Sequence, residues 1–343
     1  MFSVKDLVVE REATPSELGE ARFRFTDDYS VFDWGKMPDR IPNKGASLCT
    51  MGAFNFVLLE LNEAPTHFRG VVTEGDDEPR PLAQAERPPR EMAVEYTRVP
   101  ELPATDDGYD YDAYHEVADR GSHFLVPLEI IFRNSVPVGS SLRDRVDPRD
   151  VNVDREEWPD EAVDLPGAVI EFSTKFEEQD RYLSREEADR IAGRADIERL
   201  ETLARAVNHV LTQRAESAGF AHEDGKIECL YHDGAIKVAD VAGTFDENRY
   251  ARDGQEMSKE VVRQYYKREH PEWVEAVSAA KAEARERGIA DWKSLCDAEP
   301  PALPDHVVDA VSDMYAAGTN AYTDDRWFDA PPVDEAVEAI RDL

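Results

Sequence analysis

Apolar and polar positions along the chain sort it into short alternating segments followed by longer helical ones. Val4–Val9 and Ala21–Phe25 alternate with a period of two and predict strands near the start. Gly45 to Glu60 reads GASLCTMGAFNFVLLE, apolar enough for a buried helix. His123–Phe132 is a near-continuous apolar run with Glu129 inside it and predicts one buried strand; Val169–Lys175 predicts another. Ser184 to Gly219 carries helical periodicity, with Ser184 and Glu187 in capping-box positions. Between Asp224 and Arg249, alternation on both sides of His232, Asp233 and Gly234 predicts a β-hairpin. From Ser258 onward the pattern is helical, broken by prolines at 300–304. Residues 75–122 and 143–165, rich in acid and proline, predict surface loops or irregular inserts. Antiparallel strand units come first and helices accumulate later, which predicts an α+β fold.

Composition narrows the classes. The chain has 343 residues, enough for one large domain or two smaller ones. Its net charge of -34 is spread along the whole length, and no basic run is present, which argues against a nucleic-acid partner. Only ten of the 40 cations are lysines. Dispersed acid with little lysine suits a halophilic protein, one working in concentrated salt where self-repulsion is screened. A 41% hydrophobic fraction still supports a core. No apolar run is long enough to span a bilayer, and the start, MFSVKDLVVERE, lacks the apolar stretch of a signal peptide. Cys49, Cys229 and Cys296 are isolated and read as thiols of a reducing cytoplasm. Histidine offers no ligand spacing: His123 reads as core, and His209 and His232 have no partner. Glu177-Glu178-Gln179-Asp180 reads as a solvated face.

The hairpin carries the most pointed chemistry. On its first strand Lys226 and Glu228 project together, and Asp240 follows on the return strand. A lysine beside two carboxylates suits a magnesium ion with a polyphosphate, because magnesium takes one or two carboxylates plus phosphate oxygens. Register decides whether they meet. A three-residue turn over His232–Gly234 pairs Tyr231 with Ala235, sets Lys226 opposite Asp240 and leaves Glu228 on the same face. A two-residue turn at Asp233-Gly234 puts Asp240 opposite Ile227, away from Glu228. Gly234 suits the left-handed end of the longer loop, so the three-residue register is expected.

Three further segments join the hairpin: TDDYSVFDWGKMPDRIPNKGA from Thr26, VPLEIIFRNSVPVGSS from Val126 and STKFEEQDRYLSREEA from Ser173. In this order the four resemble SAICAR synthetase, over roughly Glu17 to Arg268. The resemblance implies a two-lobed α+β fold related to ATP-grasp, with ATP between the lobes. It implies residues 1–125 as the lobe covering ATP, with an acidic insert at about 76–120. Residues 126–270 would carry the metal and ribonucleotide sites, and 271–343 a helical extension. It further implies ATP-dependent joining of L-aspartate to the carboxylate of carboxyaminoimidazole ribonucleotide (CAIR), through an acyl phosphate. The implied cofactors are ATP and Mg2+, the implied partners are small molecules, and a homo-oligomer is compatible.

Carried over position by position, the resemblance assigns Lys226, Glu228 and Asp240 to catalysis, with both carboxylates on the metal. Arg133, Gly139, Ser140 and Arg249 match residues around the ribonucleotide phosphate, where arginine forks bind bidentately. Leu125 and Glu129 match the strand beside adenine, and Lys175 a lysine near the nucleotide. Ser30 and Asp33 match a serine-and-aspartate loop, Lys44 a lysine-glycine pair, and Asp246 the aspartate before the arginine. Lys259 and Arg263, four apart on a helix, match a pair near the anionic substrates. The family's glycine-lysine-x-lysine cover over the ATP phosphates is matched here by Gly19, Glu20, Ala21 and Arg22. Arg22 can replace one lysine as a cation, whereas Glu20 cannot replace the other. Arg120 is a weak match for a further lysine. A related kinase or ligase with another acceptor would lack the Arg133/Ser140/Arg249 group. A non-catalytic nucleotide-binding module would lack Glu228 or Asp240.

Overall fold

The computed structural model describes residues 4–73, 75, 78–105, 108–177, 181–289 and 291–343. Met1–Ser3 of the start and Glu178–Asp180 of the acidic run lie outside them. Two antiparallel sheets organise the chain. The first, in the order β1-β2-β4-β3, is built from β1 (Lys5–Arg11), β2 (Gly19–Phe25), β3 (Phe68–Val72) and β4 (Glu91–Tyr96). Strand β4 lies in the stretch expected to be irregular, yet it pairs with β2 along its length, Gly19 to Tyr96 through Arg24 to Glu91. Met92, Ala93 and Val94 are buried in succession, so the acidic flanks had hidden a core strand. Further along that stretch lie two short strands, β5 (Ala104–Thr105) and β6 (Gly108–Tyr109), and helix α2 (Tyr111–Ala118).

Helix α1 (Lys44–Leu61) covers the first sheet and is buried along most of its length, from Lys44 through Leu59. A helix apolar all round needs cover on more than one side. The second cover comes from α7 (Asp305–Thr323), which α8 (Val333–Arg341) backs in turn. Ser312 Oγ donates to Pro42 O at 2.7 Å, and Tyr322 OH to Asn55 Oδ1 at 2.9 Å. Gly45 is required at the start of α1, where a Cβ would lie 2.6 Å from Thr26 O.

The second sheet is longer and strongly branched. The apolar run expected as one strand is split into β7 (His123–Leu125) and β8 (Leu128–Val136), because Pro127 interrupts the ladder. Next come β9 (Val163–Thr174), β10 (Ala221–His232), β11 (Ala235–Ala239), β12 (Asn248–Arg252) and β13 (Gln255–Glu256). The order is β13-β12-β10-β8-β9, while β7 and β11 flank the far end of β10. The helical periodicity from Ser184 to Gly219 resolves into two helices, α3 (Arg185–Ala192) and α4 (Ile197–Ser217). They are separated where Gly193 and Asp196 take positive φ of 57° and 62°. The Ser184–Glu187 capping box forms at the start of α3. Helix α4 packs on β10 and β8, and α5 (Glu260–Glu269) and α6 (Pro271–Arg287) lie beside the mouth of the second sheet. No helix among the described residues is long and apolar enough to cross a membrane.

Candidate active site

The hairpin turns in two residues, not three. His232 pairs with Ala235, and Glu228 pairs with Ala239. Asp233 and Gly234 take φ of 47° and 85°, the left-handed pair that matches strand twist in a two-residue loop. Strict alternation would then turn Asp240 away from Glu228. It does not, because β11 ends at Ala239 and Asp240 itself adopts φ 59°. Its carboxylate meets Lys5 at the head of β1, with Nζ to Oδ1 at 2.6 Å. Glu228 accepts from Lys175 at 2.5 Å, and Lys226 donates to Glu129 at 2.6 Å with Glu247 at 3.6 Å. Lys226 therefore faces Glu129 across the sheet instead of Asp240.

The result is a buried cluster of alternating sign. Burial, and then repulsion from Asp240, raise the Glu228 carboxyl above the usual range. Burial would raise Asp240 too, but Lys5 and Lys175 bring it below that range. Burial would lower Lys226, and Glu247, Glu129 and Glu228 override it, so its ammonium is held firmly charged. Two carboxylates that repel one another inside the protein are oxygen donors for a hard cation, although each is held here by a lysine.

Beside this cluster opens a cleft of about 960 Å3, whose lining includes Glu129, Arg133, Lys226, Asp246, Arg249 and Lys259. Its floor comes close because Gly225 lies there, where a Cβ would meet Asn248 Nδ2 at 2.1 Å. At one end, Arg133 and Arg249 converge on Asp224. Arg133 Nη1 donates to Asp224 Oδ2 at 3.1 Å and its Nε to Glu171 Oε2 at 2.6 Å. Arg249 Nε donates to Asp224 Oδ1 at 2.9 Å, and its Nη2 to Oδ2. Asp224 thus orients both guanidinium groups. Gly139 and Ser140 border the same end, and a Cβ on Gly139 would meet nothing within 4 Å.

The other wall comes from α5, α6 and the loop before α1. Lys259 lines the cleft without an ion pair, alone in this among its described cations, and burial lowers its pKa despite Glu247 and Asp246 nearby. Arg263 pairs with Glu260 at 3.2 Å. Asp33, with φ 56°, reaches Lys281 at 2.5 Å, while Ser30 Oγ accepts from Gly35 N at 3.2 Å within its own loop. Lys44 lies behind the wall, wholly buried, with Nζ on Asp246 Oδ2 at 2.6 Å.

Gly19, Arg22 and Leu125 lie apart from the cleft, and Ser30 is not among the residues that line it. Gly19 opens β2 where its backbone passes close to the end of β1, so a Cβ would be 2.3 Å from Arg11 O. Arg22 pairs with Glu10 at 2.5 Å and Glu20 with Arg11 at 3.1 Å, both directed along the sheet. Leu125 has its carbonyl occupied by Tyr114 OH at 2.6 Å. The cation that the first sheet does bring to the carboxylates is Lys5, which the sequence reading passed over. It also missed Asp224, Glu247 and Tyr315. Lysine scarcity was the available signal for Lys5, since a rare residue in a strand head invites a reason.

The chain is similar to known proteins over most of its length. The family model described as SAICAR synthetase matches residues 13–280. A putative phosphoribosylaminoimidazole-succinocarboxamide synthase of Archaeoglobus fulgidus is 39% identical, covering 100% of this chain and 99% of the relative. The synthase of Thermoplasma acidophilum is 29% identical, covering 89% of this chain and 93% of the relative. Among solved structures, a Saccharomyces cerevisiae SAICAR synthase complexed with SAICAR has the same fold, with a TM-score of 0.62, 20% identity and coverage of 95% and 94%. A SAICAR synthetase in complex with ADP has a TM-score of 0.54 at 22% identity, covering 77% of this chain and 88% of that one. The match of a full-length relative at this identity, over a family model spanning most of the residues, establishes that this chain belongs to the SAICAR synthetase family.

Proposed function

We propose that this protein catalyses the family reaction, the ATP-dependent ligation of L-aspartate to CAIR that yields SAICAR, ADP and phosphate in purine biosynthesis. The observation that carries the reading is the junction at Lys226. On one side it donates to Glu129 and lies 4.0 Å from Glu228 of the carboxylate cluster; on the other it opens into the cleft that Arg133, Arg249 and Lys259 line. A carboxylate is a poor acyl donor. Attack of its oxygen on the γ-phosphorus of ATP, with ADP leaving, gives an acyl phosphate. The amine of aspartate then attacks the acyl carbon, phosphate leaves, and the amine gives up a proton.

Phosphoryl transfer asks the protein for position and charge neutralisation more than for covalent chemistry. Lys226 supplies a fixed positive charge where the two substrates would meet. Lys5 and Lys175 supply the cations on the nucleotide side, Lys5 taking the part expected of Arg22. Arg133 and Arg249, oriented by Asp224, hold the ribonucleotide phosphate. Lys259 attracts a further anion, since a half-buried ammonium with no ion-pair partner gains most from one. Glu228 and Asp240 fit Mg2+ as paired, mutually repelling oxygen donors, with the ion neutralising phosphate oxygens when bound. We read the acid-rich surface as an adaptation to concentrated salt.

The test is phosphate release by purified protein with magnesium in high potassium chloride. It should require ATP, CAIR and L-aspartate together. Equal release without aspartate, and no succinocarboxamide product, would refute the ligase reading.

A further inference from the structure

The family model ends at residue 280, yet helix α7, beyond it, reaches Asp246, a residue that lines the cleft. Tyr315 is wholly buried, and its hydroxyl donates to Asp246 Oδ1 at 2.6 Å. Lys44 Nζ holds the other oxygen, Oδ2, also at 2.6 Å, and lies 5.5 Å over the Tyr315 ring. Each oxygen of Asp246 therefore carries one buried donor, while the residue itself lines the cleft three positions before Arg249. The helix is fixed in this place independently, through Ser312 to Pro42 and Tyr322 to Asn55.

We propose that Tyr315 is a positioning residue for the ligase reaction, fixing the Asp246 carboxylate so that it accepts hydrogen bonds from the hydroxyl or amino groups of the ribonucleotide. The inference rests on the function proposed above. Burial would raise the Asp246 carboxyl, but Lys44 and Lys259 hold it below the usual range, so it stays an acceptor. Burial and the Asp246 charge push the Tyr315 hydroxyl up, so it stays a donor. Without that hydroxyl, Asp246 is held on one oxygen only and can rotate about Lys44.

Tyr315→Phe keeps the ring and deletes the hydroxyl. Tyr322→Phe, on the same helix, deletes an equally buried hydroxyl bonded to Asn55 and serves as the control. Steady-state kinetics on the full chain, with thermal midpoints beside them, should show KM for CAIR rising roughly tenfold or more in Tyr315→Phe, as for loss of a hydrogen bond to a charged group. KM for ATP should stay near wild type, and Tyr322→Phe should change stability with both KM values unchanged. Unchanged KM for CAIR in Tyr315→Phe, or an equal rise in both variants, would overturn the inference. Wild-type protein without aspartate-dependent turnover would overturn the ligase reading and this inference with it.

Discussion

Replacing Lys5 by methionine tests the carboxylate cluster most directly. Lys5 Nζ lies 2.6 Å from Asp240 Oδ1, and the side chains are 6% and 16% exposed. At that separation the Coulomb attraction is about 6 kcal/mol for an effective dielectric constant of about 20. Desolvation of both ions offsets much of this, so the pair's net worth is smaller than its one-sided disruption, which costs about 3–5 kcal/mol. Methionine retains most of the aliphatic stem and removes the ammonium, which also lies 5.0 Å over the Phe23 ring. Asp240 is then left buried beside Glu228 with less compensation. Asp240→Asn strands Lys5 in the same way, and the double variant removes both charges. Urea unfolding of all four proteins, near neutral pH and in fixed molar salt, gives a coupling energy. It should be about 2–3 kcal/mol, well above the roughly 0.2–1 kcal/mol of exposed pairs. Because the pair is buried, changing the salt should move the coupling little. A coupling under about 0.5 kcal/mol would refute the reasoning, and with it the place of Lys5 at the carboxylates proposed to hold the metal.

Glu228→Gln should lower turnover roughly 10–100-fold or more while far-UV circular dichroism stays unchanged; turnover within about twofold of wild type would remove Glu228 from the proposed metal and phosphate site. Burial, then Glu223 beside it, push the Glu256 carboxyl from 4.5 up to about 8. A folded value above the unfolded one means that the native state holds the extra proton. That stability is present in full below about 4.5 and is lost as pH rises through about 8. Wild type should therefore lose stability relative to Glu256→Gln across that window, and parallel stability curves would contradict the assignment. With a net charge of -34, the thermal midpoint should fall on dialysis from molar salt into dilute buffer; a constant midpoint would count against salt adaptation.

Elements with one strong local signal were legible in the sequence. The Ser184–Glu187 capping box names its own helix start, and the apolar span of α1 could only be a buried helix. Strand β4 was not legible, because its pairing with β2 is long-range and its flanks read as acidic loop. The split of α3 from α4 turns on left-handed backbone at Gly193 and Asp196, which periodicity does not register. At the site, the hairpin shows the limit of alternation as a rule. The expected register was wrong, and the two carboxylates still share one cluster through the positive φ of Asp240. Lys5 and Tyr315 reach the site from segments at opposite ends of the chain, and only tertiary structure brings them there.

The packing of α7 on α1 also has a consequence for the protein's birth on the ribosome. Some 260 residues separate the end of α1 from the end of α7. At roughly 5–20 residues per second, synthesis leaves the face of α1 without its final cover for about 13–50 seconds. During that time one of the most apolar stretches of the chain is exposed beside a growing, strongly acidic polypeptide. Long-range closure of this kind also slows folding, because distant segments must meet before either is stabilised. A nascent chain released early would carry both sheets and most of the cleft yet lack the helix that seals α1, and aggregation or proteolysis would be its fate rather than partial activity.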